Sequence, residues 1–427
     1  MCFRAITADN ASNMKLATKK ESEFLDLGLG CFDHTLQLVV NKCIAQTTGI
    51  QAAIAAFTKL SSNTHKSTLY QQRIKKECGD LNKSNPNSVK YIQIITPVDT
   101  RWNSNLMMMI SILQLKPALE NIRDDDRAKP NCPKLIEIIP TEEQFNLIET
   151  IVPILTKFET LSDFMSGDKY PTLCHIVSKL SFLNNYLVSV KIKKTGTPAG
   201  EMVEHMIKDL EERFPKGGCL EKTYAYTQLL HPCFRGNVLN DYSLLKSTME
   251  MFVTDNEAPI FQNTERPNLD EGGILEVDSG DEDAYFQQKT QKASQDLLTQ
   301  NRTQSLLNPQ TPLESELARF THHSDSDEVP HSVDVLGWWK CHEKVYPLLA
   351  KAVKKYFAIQ ATSCSSERTF STGSNTVSCR RTKLDPENVH MLVFCKDNLK
   401  KLISNLQGSF SKLRRKRMKK KHVKLKK

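Results

Sequence analysis

Leu336-Gly-Trp-Trp339, Tyr346-Pro-Leu-Leu-Ala350, Tyr356 and Ser363-Cys-Ser-Ser-Glu-Arg-Thr-Phe-Ser371 follow one another in a single stretch, closed by Arg380-Arg381, Leu384, Pro386-Glu-Asn388 and Asn398-Leu399. Paired tryptophans, further aromatics and leucines at helical spacing predict helices with an apolar, aromatic side. Taken alone, such residues are ordinary core. An obligate interface is built like a core cut in half, however, and Trp and Tyr are side chains that anchor interfaces. Trp338, Trp339, Tyr346, Leu348, Leu349 and Phe370 are therefore candidates for core and for dimerisation alike.

Upstream of this stretch the composition changes. Residues 254–331 are rich in Gln, Ser, Asp and Glu and include Glu276-Val-Asp-Ser-Gly-Asp-Glu-Asp283. Such a segment buries too little apolar area to offset its ordering entropy and reads as a disordered linker. After a long apolar run from Leu106 to Leu115, most of 140–250 is helical in pattern, with Pro153, Pro171, Pro198, Pro215 and Pro232 marking ends or kinks. At the start, Met1 to Ala8 reads as a short strand with Asp9 at its C-terminal end, followed by a helix capped by Asn10 or Ser12. A glycine-punctuated segment, Leu27-Gly-Leu-Gly30, then precedes a helix starting near Asp33, and Ile50, Ile54, Phe57 and Leu60 mark another.

The net charge of +9 is local. Residues 412–427 carry 11 Lys/Arg and no acid, which leaves 47 Lys+Arg against 49 Asp+Glu elsewhere. Arg414, Arg415, Lys416 and Arg417 head this tail, whose charge suits phosphates without reading base sequence and fits a nuclear-import signal. Without an acidic partner such a run is a frayed, solvated tail. The 12 cysteines are scattered, with no Cys-x-x-Cys pair to build a zinc finger, so buried thiols in a reducing compartment are expected. No apolar run approaches the ~20 residues that span a bilayer, so neither a membrane nor a small-molecule substrate is expected.

The C-terminal stretch closely resembles the dimerisation region of hAT transposases, with its tryptophan pair, Tyr-Pro and apolar run, Ser-Glu-Arg-x-Phe-Ser core and Leu-x-Pro-Glu-Asn helix. Thr7-Ala-Asp-Asn-Ala-Ser-Asn-Met14 looks like the strand-to-helix turn that carries that family's second metal-binding aspartate, here Asp9. Cys31-Phe-Asp-His34 looks like its Cys-x-x-His motif, and Thr100-Arg-Trp-Asn-Ser104 like its Arg-Trp motif. Leu230-His-Pro-Cys-Phe-Arg235 resembles the Leu-Asp-Pro-Arg-Phe-Lys block, with His231 and Cys233 departing from its Asp and Arg. Singly, each has an ordinary structural explanation: an Asp in a turn before a helix is commonly a cap, and a lone Cys/His pair is commonly packed.

The resemblance implies an α-rich α/β chain: a partial RNase H-like fold over 1–105, interrupted by a large helical insertion at 106–253. The linker at 254–331, a dimerisation region at 332–406 and the basic tail at 407–427 complete it. It implies a catalytic remnant of Asp9 and Glu367 with Cys31 and His34, and DNA contacts from Arg101 and Trp102. In such enzymes three carboxylates hold two Mg²⁺ ions that activate the nucleophile and stabilise the leaving oxygen. The family's first aspartate and its BED-type zinc finger both belong ahead of Asp9, where eight residues stand and none is acidic. The expectation is a nuclear, homodimeric, DNA-associated protein without transposase activity and without a cofactor. The alternative is a Mg²⁺-dependent nuclease in which Asp33 or Asp99 is recruited.

Overall fold

The computed structural model describes residues 5–9, 27–84, 89–97, 102–124, 133–214, 219–235, 242–257, 311–321, 329, 333–377, 385–396 and 398–399. The chain divides into two compact units, Met1–Thr362 and Ser363–Lys427. The fold is α-rich. Among the described residues the sheet has two parallel strands, β1 (Ala5–Ala8) and β2 (Leu27–Gly30), with Ala5 opposite Leu27 and Ala8 opposite Gly30. The glycine-punctuated segment is thus a strand.

The helices of the first unit follow from apolar periodicity. Helix α1 (Phe32–Gln46) buries Phe32, Leu36, Val39, Val40 and Cys43, and α2 (Thr48–Lys66) buries Ile50, Ala53, Phe57 and Leu60. Both series repeat every three or four residues, which gathers them on one face. The helices α3 (Thr68–Ser84), α4 (Trp102–Leu113), α5 (Lys116–Asp124) and α6 (Pro133–Ile136) lead to α7 (Glu142–Met165). A capping box opens α7: the Gln144 N–H donates to Thr141 Oγ1, and Gln144 accepts from the Thr141 N–H in return. Helix α7 runs through Pro153, where the sequence pointed to an end or kink. Buried Ile148, Ile151, Leu155 and Phe158 on both sides hold it against the core, and tertiary packing outweighs the single missing N–H.

A 3₁₀ turn (Leu173–His175) leads into α8 (Ile176–Lys193), and α9 (Pro198–Arg213) begins at a Thr197 cap with Pro198 in its first turn. Pro198 starts a helix because its missing N–H lies among those a helix start leaves unpaired. Asp209 of α9, nearly fully buried, accepts from Lys42 of α1 and, at 2.5 Å, from Arg213. Burial by itself would raise its pKa, but the hydrogen bonds from Arg213 and Lys42 outweigh it and hold the carboxyl below its usual range.

The helices α10 (Cys219–Leu229), α11 (Tyr242–Glu257), α12 (Pro312–Thr321), α13 (Val335–His342) and α14 (Pro347–Tyr356) follow among the described residues of the first unit. Helix α12 lies inside the segment expected to be a linker. Its Leu313, Leu317 and Phe320 are buried, an i, i+4, i+7 series that the polar average of 254–331 concealed. Buried Glu316, on the same helix, accepts from the Leu348 and Leu349 N–H groups at 3.1 and 2.8 Å. Tyr346, the N-cap of α14, makes no side-chain cap, so Glu316 caps that helix from another element.

In the second unit α15 (Cys364–Thr376) and α16 (386–396) are helical. A Cβ at Gly373 would lie 3.9 Å from Val393, so the two helices meet there. None of the described residues of this unit is buried.

Candidate functional site

The end of β1 is built into a network. The Cys31 N–H donates to the Ala8 carbonyl at 2.6 Å, which places the buried N-cap of α1 directly beyond the strand. Thr7 Oγ1 donates to the Gln360 carbonyl at 2.7 Å, and the Phe32 N–H donates to the Ala361 carbonyl at 3.0 Å. Thr172 Oγ1 donates to Gln360 Oε1 and accepts from the Ala361 N–H, both at 2.9 Å. Residues 360–361 are thereby tied at once to β1, to the start of α1 and to the turn before α8. Asp9 stands exposed at the mouth of this corner, and His34 is half-buried in the first turn of α1. Asp33, beside it, accepts from Ser166 at the end of α7.

Glu367 lies in the first turn of α15, exposed, and accepts from Ser363 Oγ at 2.9 Å. It belongs to the second unit and Asp9 to the first. Trp102, expected at DNA, is 7% exposed at the start of α4 and contributes to the hydrophobic core. A ring so enclosed supports its helix and presents no face to a nucleic acid. Arg101, Asp99, Arg414, Arg415, Lys416 and Arg417 lie outside the described residues.

The six dimerisation candidates separate. Trp339, Tyr346 and Leu349 are buried in the core of the first unit, and Trp338 is half-buried, stacked on His342 at 3.7 Å between ring centres. Side chains consumed by their own protomer's core have no face left for a partner. Leu348 is exposed, and Phe370 is 76% exposed in the second unit. Phe370 lies exposed on α15 and Val377 exposed just beyond its end, and Met391 and Phe394, three apart on one side of α16, are exposed as well.

Residues 314–399 match the hAT family C-terminal dimerisation region. The chain is 24% identical over 416 residues to "Putative AC transposase" of Zea mays, covering 92% of this chain and 48% of that protein. It is 20% identical over 400 residues to zinc finger BED domain-containing protein 4 of Homo sapiens, covering 92% of this chain and 30% of that protein. The chain is thus similar to hAT transposases, and its match to the family itself lies in the C-terminal dimerisation region. It spans about half the length of the maize relative.

The matched region is divided by the fold. Its first part, α12 to α14, is core of the first unit, whereas α15 and α16 form an exposed pair. Met391 and Phe394 join Phe370 as exposed aromatic or aliphatic side chains, and their three-residue spacing is the signal for them in the sequence. No local pattern marks Thr172 and Gln360: they meet only because segments 188 residues apart are brought together. No helix among the described residues is long and apolar enough to cross a membrane.

Proposed function

We propose that this chain acts as a nuclear, hAT-derived homodimeric protein that associates with DNA and does not cleave it. The observation that carries the dimer is the state of the second unit: two helices with no buried residue among those described, exposing Phe370, Met391, Leu392 and Phe394. A helix pair without a core of its own gains stability by covering that face, and a second copy is the partner that the hAT dimerisation region supplies. DNA association rests on the basic tail, whose Lys and Arg neutralise phosphates. Nuclear residence rests on the same tail. The parallel β1–β2 pair, with α1 behind it and residues 360–361 bound to its end, is read as the corner of an RNase H-like sheet.

Sedimentation velocity tests the dimer. The wild type is expected to sediment as a dimer at micromolar concentration, and Phe370→Asp with Phe394→Asp to dissociate it by at least about 100-fold, equivalent to roughly 3 kcal/mol. A monomeric wild type, or a double variant that stays dimeric, overturns the proposal.

The absence of cleavage is proposed on the carboxylates. A two-metal site needs a bridging carboxylate and further oxygen ligands. Asp33, a carboxylate that could be recruited to such a site, is already engaged by Ser166. Supercoiled plasmid incubated with the 427-residue chain and Mg²⁺ is expected to stay intact; nicking that disappears in Glu367→Gln overturns this part and supports a Mg²⁺-dependent nuclease.

A further inference from the structure

Cys174, His175 and His231 stand apart from the strand-end corner and from the exposed helix pair. Their metal-binding atoms lie within 4.8 Å of one another. Cys174 and His175 end the 3₁₀ turn ahead of α8, and His231 follows α10, which packs against that turn. Cys174 and His231 are each 1% exposed and His175 is half-buried. We propose that these three side chains form a zinc-binding site.

The donor set decides the ion. One thiolate and two imidazoles suit Zn²⁺, whereas Mg²⁺ and Ca²⁺ demand oxygen. The turn is built to hold the ligands. The His231 N–H donates to Gln228 O at 3.1 Å and the Arg235 N–H donates to His231 O at 2.8 Å, fixing the turn on both sides. Phe234 stacks on the His231 ring at 4.3 Å between centres, and Phe164 meets His175 edge-on at 5.0 Å. Zn–S and Zn–N bonds of about 2.3 and 2.0 Å set tetrahedral donors about 3.3–3.6 Å apart, so the cluster closes by about 1 Å on loading. Half-buried His175 has the freedom to make that movement. The fourth position falls to water.

In the metal-free state Cys174 Sγ donates to the Pro171 carbonyl at 3.4 Å. Binding replaces that S–H by a metal–sulfur bond and releases the proton to solvent. The Cys233 N–H donates to His231 Nδ1 at 3.2 Å. Coordination through Nε2 requires the ring proton at Nδ1, so the Cys233 N–H gives up this acceptor and turns away when the metal binds. His231 also stands where the resembled family block has aspartate, so one departure from that block supplies a ligand facing Cys174 and His175.

The test uses the full 427-residue chain, stripped with EDTA and titrated with Co²⁺ as a spectroscopic probe, then with Zn²⁺ in competition. The wild type is expected to take up a single equivalent with a thiolate-to-cobalt charge-transfer band. Cys174→Ser is expected to abolish the band, and His231→Gln to weaken Zn²⁺ affinity by more than about 100-fold, beyond the loss typical of removing an outer-shell partner. Cys341→Ser, which alters an exposed thiol, should leave both unchanged. EDTA should lower the melting midpoint of the wild type and not that of Cys174→Ser. Should Cys174→Ser misfold by circular dichroism, His175→Gln takes its place, with Zn²⁺ affinity weakened by more than about 100-fold as the expected result. A wild type without the charge-transfer band, a band that survives in a folded Cys174→Ser, or wild-type Zn²⁺ affinity in His175→Gln overturns the site.

Discussion

Replacing Trp339 with alanine is expected to destabilise the first unit by about 3–5 kcal/mol, the range for emptying a large aromatic site in a packed core. The indole is 3% exposed and sits among Phe320, Trp338 and Tyr346, with ring centres 5.2, 5.1 and 6.3 Å away. Its Nε1–H donates to the Leu230 carbonyl at 3.0 Å, joining α13 to the turn after α10. Alanine would remove the packing and also leave a buried carbonyl without its donor, which adds about 1–3 kcal/mol where no water reaches it. Trp339→Phe keeps most of the ring volume and loses the donor, so its cost should be well below that of alanine. Chemical denaturation followed by circular dichroism at fixed protein concentration measures both. An alanine variant with an unchanged denaturation midpoint and a weakened dimer would return Trp339 to the interface and contradict its placement in the core.

Glu316→Ala should cost about 2–4 kcal/mol: the buried bond to the Leu349 N–H is worth about 1.5–3 kcal/mol, and the bond to the part-buried Leu348 N–H, which water can replace, adds less. The carboxylate receives the Leu348 and Leu349 N–H groups at the start of α14, where the helix dipole also favours negative charge. Glutamine retains one carbonyl oxygen and loses the charge, so Glu316→Gln should fall between alanine and wild type. Hydrogen exchange at Leu348 and Leu349 gives a local readout: both amides should lose protection in Glu316→Ala beyond the global change. Protection that stays in step with global stability would show that the cap is supplied elsewhere.

The two predictions bear on how the chain uses its family region. Residues 314–399 match one dimerisation region, yet Glu316 and Trp339 bind its first part into the helical body, and Phe370 and Phe394 lie in the exposed remainder. Substitutions in the two parts should therefore separate: the first group acts on unfolding, the second on self-association.

Much of this was legible along the chain. The spacing of Phe32, Leu36, Val39 and Val40, or of Ile50 and Phe57, is enough to define a buried helical face, because helical periodicity is a local property. The motif order from Trp338 to Asn388 pointed to the hAT region for the same reason. Composition misled where it was averaged: Leu313, Leu317 and Phe320 are three apolar residues in a long polar stretch, and their shared helical face escapes a tally of residue types.

The candidate sites were less legible. Cys174-His175 and His231 are separated by 55 residues or more, a spacing that no finger motif uses, and only the packing of α10 on the 3₁₀ turn brings them together. Gln360 meets Thr7 and Thr172 in the same way.

The helix-rich class, the basic tail and the aromatic series of the C-terminal region are properties of neighbouring residues and can be read along the chain. Long-range packing turns Trp339, Tyr346 and Leu349 inward and leaves Phe370 facing solvent. Periodicity identifies a helix's apolar side, but what covers that side depends on long-range packing, and a core and an interface select the same side chains.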